Sequence, residues 1–423
     1  MADHRASDFM WTPHHRPTVD PRPWSDAIAR LSASGGRRGA GLLYTHFGAW
    51  PPWLWTLVHG AVANPAVTFY FIGEPVPPEL ARPCRNCHSL PLDSLGLLDR
   101  IVKLLRVPRD AVAGLRRGYS GQSVEGYHGT RKLCDLKPLL PALFPELTAR
   151  HEWIGYADND IVLGELGSEF ERLSAEDELL VPSQFYPEPL ANGNLLFMRT
   201  SAKLVHAFRR AAWLRMLRTD GYTHFDEYGG DVDAFNVTGK DAKAGVPDLG
   251  PRSTLAGEGN WGMRAVYMDL VLSGELNARP TRRLLIQDTV VVQGTVYPTI
   301  SSYGARVGVR WQAGRLTVSR YGPCVCPNDI VPQFGLTQCE RCIRAPGKAL
   351  LGQPWRSRRL EILGFHYQAW KKAWRRAEYR LLVRHNWTRP HGARRAVPAF
   401  CPRGEGFTLS PRGFNCTAYS RLM

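Results

Sequence analysis

The first half of the chain alternates between apolar runs of strand length and amphipathic stretches of helical length. Gly39–His46 and Val67–Ile72 are predicted strands, and Trp53–Ala63 between them has a helical pattern. A strand, a helix and a second strand within about thirty residues predict a βαβ unit. Such a unit implies a parallel sheet with a right-handed crossover.

The same alternation continues along the chain. It predicts helices at Ser94–Val107, Asp110–Arg117, Leu133–Pro145 and Ala202–Arg218, and strands at Trp153–Ala157, Leu179–Pro182, Gly193–Met198, Leu284–Val292 and Ala305–Arg320. Residues 75–93 have the composition of a loop, and Gly364–Arg384 has the pattern of a basic helix. Strands that alternate with helices predict an α/β fold with a doubly wound sheet.

A pair of carboxylates, Asp158 and Asp160, directly follows the predicted strand Trp153–Ala157. Ligands bind at the carboxyl ends of strands in open α/β sheets, so these acids lie where a site is expected. Mn²⁺ and Mg²⁺ bind carboxylate oxygens and keep positions free for substrate phosphates. The competing interpretation is a polar turn with two solvated acids, because Asp-x-Asp is a common pattern.

The balance of charges favours anionic partners. The chain has 54 basic and 38 acidic residues, a net charge of +16. Nucleic acid, a membrane surface and phosphorylated ligands all fit such a charge, as does a merely basic surface. The aromatic and basic residues of 370–384 are typical of contact with anionic lipid or of a helix packed on the protein. The basic residues are widely spread and no nucleic-acid-binding module is visible, so no nucleic acid partner is expected.

The termini and apolar runs bear on the location of the protein. Residues 1–35 lack the apolar segment of a signal peptide, and no run of eighteen apolar residues is present. We therefore expect a cytoplasmic protein or one peripheral to the cytoplasmic face of a membrane. Neither GxGxxG nor GxxxxGK[ST] begins a helix after a strand, which excludes dinucleotide-binding and P-loop proteins.

Nine cysteines include two groups with metal-ligand spacing. Cys84 and Cys87 form one CxxC pair. A second group combines a CxC and a CxxC separated by twelve residues, and its members are Cys324, Cys326, Cys339 and Cys342. This spacing fits a structural zinc site in a reducing compartment, disulfides in an oxidising one, or free thiols. We favour Zn²⁺ for the second group.

Further motifs accompany the acid pair, in a fixed order along the chain. They are Phe47-Gly-x-Trp50-Pro51, Lys132-x-Cys134-Asp135-x-Lys137-Pro138, Trp153-x-Gly155-Tyr156-x-Asp158-x-Asp160-x-x-x-Gly164, Gly193-Asn194-Leu-Leu-Phe-Met-Arg199, Phe225-Asp226-Glu227 and Phe365-His366-Tyr367-Gln368-x-Trp370-Lys371. Together they resemble a group of GT-A-like glycosyltransferases, many of them uncharacterised. The motifs span residues 41–372 and are specific for the fold and class, but not for the sugar.

The resemblance implies a GT-A-like fold, in which helices flank a mostly parallel central sheet. It also implies a function for individual residues. Asp158 and Asp160 would bind Mn²⁺ or Mg²⁺ and the donor diphosphate, and His366 would complete the metal shell. Asp135 and Lys137 would face the donor. The nucleoside would lie against the strand end that contains Tyr44, Phe47 and Gly48. A packed histidine with no ligand is the alternative for His366.

The implied reaction moves a sugar from a nucleotide-sugar donor to a hydroxyl of a glycan, protein or lipid. A metal and nearby cations such as Lys137 and His366 would stabilise the charge on the leaving diphosphate. An inverting transfer also needs a base, and the candidates are Asp226, Glu227 and Asp231, of which we favour the first two. A retaining transfer needs no such base, and a helix cap or acidic turn is the structural alternative.

The predicted domains follow from the same motifs. A flexible lead covers residues 1–36, a GT-A-like catalytic domain covers 37–300, a mixed C-terminal extension covers 301–390 and a loosely ordered tail covers 391–423. Two other functions remain open: a basic nucleic-acid-binding protein and a catalytically inactive GT-A-fold binding protein.

Overall fold

A computed structural model provides the fold of the protein. It describes residues 38–48, 50–51, 53–112, 133–183, 193–211, 213–219, 223, 225–226, 262–287, 289–292, 295–298, 309–318, 360–367, 406–410 and 413–417. Among these residues, no helix combines the length and the apolar character needed to cross a membrane.

The main feature is a nine-stranded sheet. Its strands are β1 (Arg38–His46), β2 (Val67–Gly73), β3 (Cys87–Pro91), β4 (His151–Ala157), β5 (Ile161–Leu163), β6 (Leu179–Ser183), β7 (Leu195–Arg199), β8 (Ala278–Gln287) and β14 (Gly364–His366). Their order is β3-β2-β1-β4-β7-β6-β8-β14-β5. Strand β7 is antiparallel to both its neighbours and β5 is antiparallel to β14, while the other neighbours are parallel. The prediction of an α/β fold with a mostly parallel sheet is confirmed.

Helices cover both faces of this sheet. They are α1 (Leu54–Val62), α2 (Pro78–Ala81), α3 (Ser94–Leu105), α4 (Leu140–Leu143), α5 (Pro145–Thr148), α6 (Gly167–Phe170), α7 (Ala202–Val205), α8 (Trp213–Arg218) and α9 (Met263–Leu272), with 3-10 turns at Arg109–Val112, Lys137–Leu139 and Ala207–Arg210. Successive residues of β1 belong to different cores: Leu42 and Tyr44 pack with α1, whereas Leu43 packs with α3 and α4. Because side chains alternate across a strand, a strand buried on both faces is apolar throughout.

The C-terminal part adds a second sheet. A separate pair is formed by β9 (Thr289–Val292) and β10 (Thr295–Pro298). The strands of the second sheet are β11 (Val309–Gln312), β12 (Arg315–Val318), β13 (Leu360–Ile362), β15 (Gly406–Ser410) and β16 (Gly413–Thr417). Their order is β13-β12-β11-β15-β16. This second sheet packs against α1, where the ring of Phe407 contacts those of Trp55 and Trp311.

Several predicted elements differ from the observed ones. Residues 75–93 contain α2 and β3 as well as loop. The predicted helix Ala202–Arg218 is broken, because Ala211 has an extended backbone. Leu133–Pro145 is also divided: residues 133–136 are helical, and the next two segments carry Pro138 and Pro141 in their first turns. Proline is tolerated there because the first turn of a helix has no acceptor for its N–H.

The largest difference concerns the start of the predicted basic helix Gly364–Arg384. Gly364–His366 is strand β14, inserted between β8 and β5. Its three residues are buried, as a strand with a partner on each side requires. The basic residues that suggested a helix begin at Lys371, outside the described residues. The boundary predicted at residue 300 stays a prediction, although β14 places part of the C-terminal region in the main sheet.

Candidate metal centre

The acid pair lies in a tight connection between two strands. Strand β4 ends at Ala157 and β5 begins at Ile161, so Asp158 and Asp160 occupy the three-residue link. The backbone N–H of Asp158 donates to the carbonyl of Asn194 at 2.9 Å, which fixes the start of the link. The first four strands have the order 3-2-1-4, and the link lies at the carboxyl end of β4, beside β1. Open α/β sheets bind ligands in the crevice at these strand ends.

His366 reaches the acid pair because β14 pairs with β5. In the antiparallel register, His366 lies opposite Ile161, and the N–H of Tyr367 donates to the Asp160 carbonyl at 3.2 Å. The imidazole Nε2 is 3.1 Å from Asp160 Oδ1 and 3.8 Å from Asp158 Oδ2. One ligand atom from each of Asp158, Asp160 and His366 lies within 4.8 Å of the others. The structure therefore brings together the three predicted metal ligands.

The donor set fits a hard divalent cation. Two carboxylates and one imidazole suit Mn²⁺, which binds oxygen ligands and accepts nitrogen. Adjacent ligands on an octahedral ion with bonds of about 2.1 Å lie about 3 Å apart. The separations of 3.1 and 3.8 Å are close to this value. The ligand atoms of the two carboxylates lie within 4.8 Å of each other.

The charges of the centre also favour a bound divalent cation. Asp158, Asp160 and Asp226 supply three carboxylates, and Lys137 supplies one ammonium in contact with two of them. Lys137, Asp160 and Asp226 are buried, and Asp158 is nearly so. With His366 neutral, the group carries two uncompensated negative charges. Buried charges are stable when paired or when they bind a metal, and a divalent cation would balance this excess.

The pKa shifts reflect this crowding. Burial raises the pKa of Asp158, Lys137 and His366 oppose that shift, and the charge of Asp160 adds to it. For Lys137, burial lowers the pKa, but the nearby carboxylates of Asp158 and Asp226 outweigh burial and leave it well above its usual value. Lys137 therefore stays charged, whereas burial outweighs the neighbouring positive charges at Asp158 and leaves its pKa above the usual value.

Asp135 and Lys137, which were predicted to face the donor, are both buried and contact other parts of the protein. Asp135 is fully buried, and its carboxylate accepts from the Thr223 N–H, the Thr223 hydroxyl and the Phe225 N–H. The Lys137 ammonium donates to Asp158 Oδ1 and to the Gly193 carbonyl. Both side chains point into protein.

Of the predicted catalytic pair, Asp226 lies against Lys137, with its Oδ2 2.7 Å from the ammonium. Its side chain is 1% exposed. A carboxylate held in this way is poorly placed to take a proton from an acceptor hydroxyl. Glu227, the other predicted base, lies outside the described residues.

The predicted nucleoside-binding residues lie at the end of β1. Tyr44 is buried with its ring stacked near Phe69 and Phe71, so the ring belongs to the core and does not line a cleft. Phe47 is half-buried, and Gly48 is exposed with a φ of 84°, a conformation that favours glycine.

One residue near the centre, His46, was not singled out from the sequence. His46 ends β1, and its Nδ1 is 3.4 Å from Asn159 Nδ2 in the acid link. Its ring stacks on Trp50 at 4.4 Å, and the Trp50 indole N–H donates to the Glu74 carbonyl. Trp50 was visible as part of a motif, but nothing in the sequence connects His46 to Asn159.

The cysteine predictions have separate outcomes. Cys84 and Cys87 form a disulfide, so this pair does not bind zinc in the structure. Cys416 is also disulfide-bonded, and Cys134 is a free thiol next to the centre. The predicted zinc ligands Cys324, Cys326, Cys339 and Cys342 lie outside the described residues.

Comparisons with known proteins give a family match and a likeness to a solved structure. Residues 127–246 match a family of unknown function (DUF6625), a stretch that includes both acids of the link but not His366. No curated protein matches the chain. The crystal structure of the glycosyltransferase GlyE of Streptococcus pneumoniae TIGR4 is similar over 58% of this chain, with 10% identity and a TM-score of 0.26. The match covers 45% of the GlyE chain, less than half its length.

Proposed function

We propose that the protein is a metal-dependent glycosyltransferase. It moves a sugar from a nucleotide-sugar donor to a hydroxyl group of a glycan, protein or lipid. The observation that carries the proposal is the convergence of Asp158, Asp160 and His366 at the carboxyl end of β4. The motif resemblance described above supplies the reaction class.

The position of the centre supports a nucleotide ligand. Strands β1 and β4 are parallel neighbours in the 3-2-1-4 order, and a crevice between their carboxyl ends is a common binding site for nucleotides. The end of β1 and the segment that follows it also supply two stacked aromatic rings, those of His46 and Trp50. A nucleoside diphosphate placed there would have its phosphates beside the acid link.

Each residue of the centre then has a defined task. Asp158, Asp160 and His366 would hold Mn²⁺ or Mg²⁺. When bound, the ion supplies positive charge that stabilises the developing charge on the leaving diphosphate. Asp226 is committed to Lys137, so an acceptor base, if the transfer is inverting, is better sought at Glu227 than at Asp226.

A thermal-shift screen tests the proposal. Purified protein is heated with a panel of nucleotide-sugars, each with and without Mn²⁺. A ligand at a hundred times its dissociation constant stabilises the folded state by about 2.7 kcal/mol, enough for a clear shift. We expect at least one donor to raise the melting temperature, and only when Mn²⁺ is present.

The variants Asp158→Asn and Asp160→Asn identify the site of this effect. Both should lose the Mn²⁺-dependent shift, whereas Asp110→Asn, which removes an exposed carboxylate from a distant 3-10 turn, should keep it. If no nucleotide-sugar stabilises the wild-type protein with Mn²⁺, the proposal is wrong. Tight, strongly salt-dependent binding of RNA or DNA would instead favour a nucleic-acid-binding protein.

A further inference from the structure

The ammonium group of Lys137 is enclosed by three protein oxygens. Its Nζ lies 2.5 Å from Asp158 Oδ1, 2.6 Å from the Gly193 carbonyl and 2.7 Å from Asp226 Oδ2. The ammonium donates hydrogen bonds to Asp158 Oδ1 and to the Gly193 carbonyl, and Asp226 Oδ2 is its ion-pair partner. The side chain is also only 5% exposed. The ammonium is surrounded by protein oxygens and has almost no surface open to a phosphate.

The same contact fixes the orientation of Asp158. Oδ1 faces Lys137, whereas Oδ2 faces His366 and lies 3.8 Å from its Nε2. A carboxylate held by one oxygen cannot rotate freely. The other oxygen is therefore presented to the position where the cation would bind. Hydrogen bonds from neighbouring residues to a metal ligand orient that ligand and influence metal affinity strongly.

The counter-ion Asp226 is positioned by the helical segment that also carries Lys137. Asp135 lies two residues before Lys137 and binds the N–H groups of Thr223 and Phe225, directly before Asp226. Gly193 leaves the space that Asp226 needs, because a Cβ there would lie 2.5 Å from Asp226 Oδ2. Two separate chain segments thus hold Asp226 against Lys137.

We propose that Lys137, with Asp226 as its counter-ion, is a positioning residue that holds Asp158 in the orientation required to bind the metal and does not contact the donor. This inference rests on the proposed metal site. It differs from the sequence expectation, in which Lys137 faces the diphosphate, and the two can be separated by measuring metal and nucleotide binding in turn.

The test uses the double variant Lys137→Met with Asp226→Asn. It removes one positive and one negative charge, so the net charge of the centre is unchanged. Isothermal titration with Mn²⁺ alone should show an affinity at least about tenfold lower than that of the wild type. Melting temperatures are recorded for both proteins to verify folding. The matched control is Lys203→Met with Glu178→Gln, a half-exposed lysine–glutamate pair, which should bind Mn²⁺ normally.

Titration of UDP and GDP into the Mn²⁺-loaded proteins separates the two roles. If the double variant binds Mn²⁺ like the wild type but binds the nucleotides more weakly, Lys137 is a ligand-binding residue and the inference is wrong. If the wild type itself binds no Mn²⁺, the proposed function fails together with the inference.

Should the double variant not fold, Gly193→Ala gives the same test with every charge retained. The added Cβ would displace the Asp226 carboxylate from its position. Weaker binding of Mn²⁺ alone is expected. Unchanged Mn²⁺ affinity in a folded Gly193→Ala protein whose Asp226 has moved would overturn the inference.

Discussion

His366 lies opposite Ile161 in an antiparallel pair of short strands, and this register sets its imidazole 3.1 Å from the Asp160 carboxylate. The contact joins residues that lie far apart in the sequence. It makes the metal centre dependent on correct insertion of β14 between β8 and β5.

Replacing His366 by alanine should weaken Mn²⁺ binding at least about tenfold, because one of three protein ligands is lost. Isothermal titration measures the change. His206→Ala, at an exposed histidine outside the centre, should leave the affinity unchanged. A folded His366→Ala protein with wild-type Mn²⁺ affinity would show that the ion is held without His366.

Asn64→Ala should lower the free energy of unfolding by about 3 kcal/mol, since buried polar groups lose their partners. The buried amide donates to the Gly60 and Gly164 carbonyls and accepts from the Leu166 N–H. It thereby joins the end of α1 to the chain after β5. Urea unfolding gives the value, and Asn277→Ala, at an exposed site, should change it by less than about 0.5 kcal/mol. If Asn64→Ala and Asn277→Ala lower the free energy of unfolding equally, the hydrogen bonds of Asn64 do not stabilise the fold as stated.

Asp177 should contribute stability that depends on pH. Burial raises the pKa of Asp177, but hydrogen bonds from Ser174 and Arg279 outweigh it and leave the pKa below its usual value. A lowered folded-state pKa gives stability that is present above the ordinary value of about 3.9 and is lost as the pH falls through the folded-state pKa.

The substitution Asp177→Asn should therefore lower the free energy of unfolding by about 1–2 kcal/mol at pH 7. The difference from the wild type should shrink towards zero in acid. Denaturant unfolding over a pH series measures it, with Asp110→Asn as a control at an exposed carboxylate. A difference that is constant with pH would show that charge is not its cause.

Cys84 and Cys87 should resist alkylation in unreduced, denatured protein, while Cys134 reacts. Peptide mass spectrometry after iodoacetamide treatment reports each site. The double variant Cys84→Ser with Cys87→Ser should lose about 2 kcal/mol of stability, the value for closing so short a loop. Alkylation of both cysteines before reduction would contradict the disulfide.

The fold was predictable where local pattern and burial agree. Val67–Gly73 is apolar except for Thr68 and is buried throughout, so its composition alone was sufficient to identify a buried strand. Gly364–His366 was misassigned because three residues give no periodicity, and the basic sequence that follows dominated the pattern. A short strand with a partner on each side is determined by its neighbours and not by its own composition.

The sequence by itself predicted the α/β class and the acid pair, because a strand that ends in two acids has a local chemical meaning, and only the family resemblance added His366 to the candidate metal ligands. Only the tertiary structure decided the contacts of Lys137, Asp135 and Asp226. These contacts depend on which polar groups surround each charge, and those groups come from segments far apart in the chain. The interactions of a buried charge depend on the polar groups around it, and those groups come together only when the chain folds.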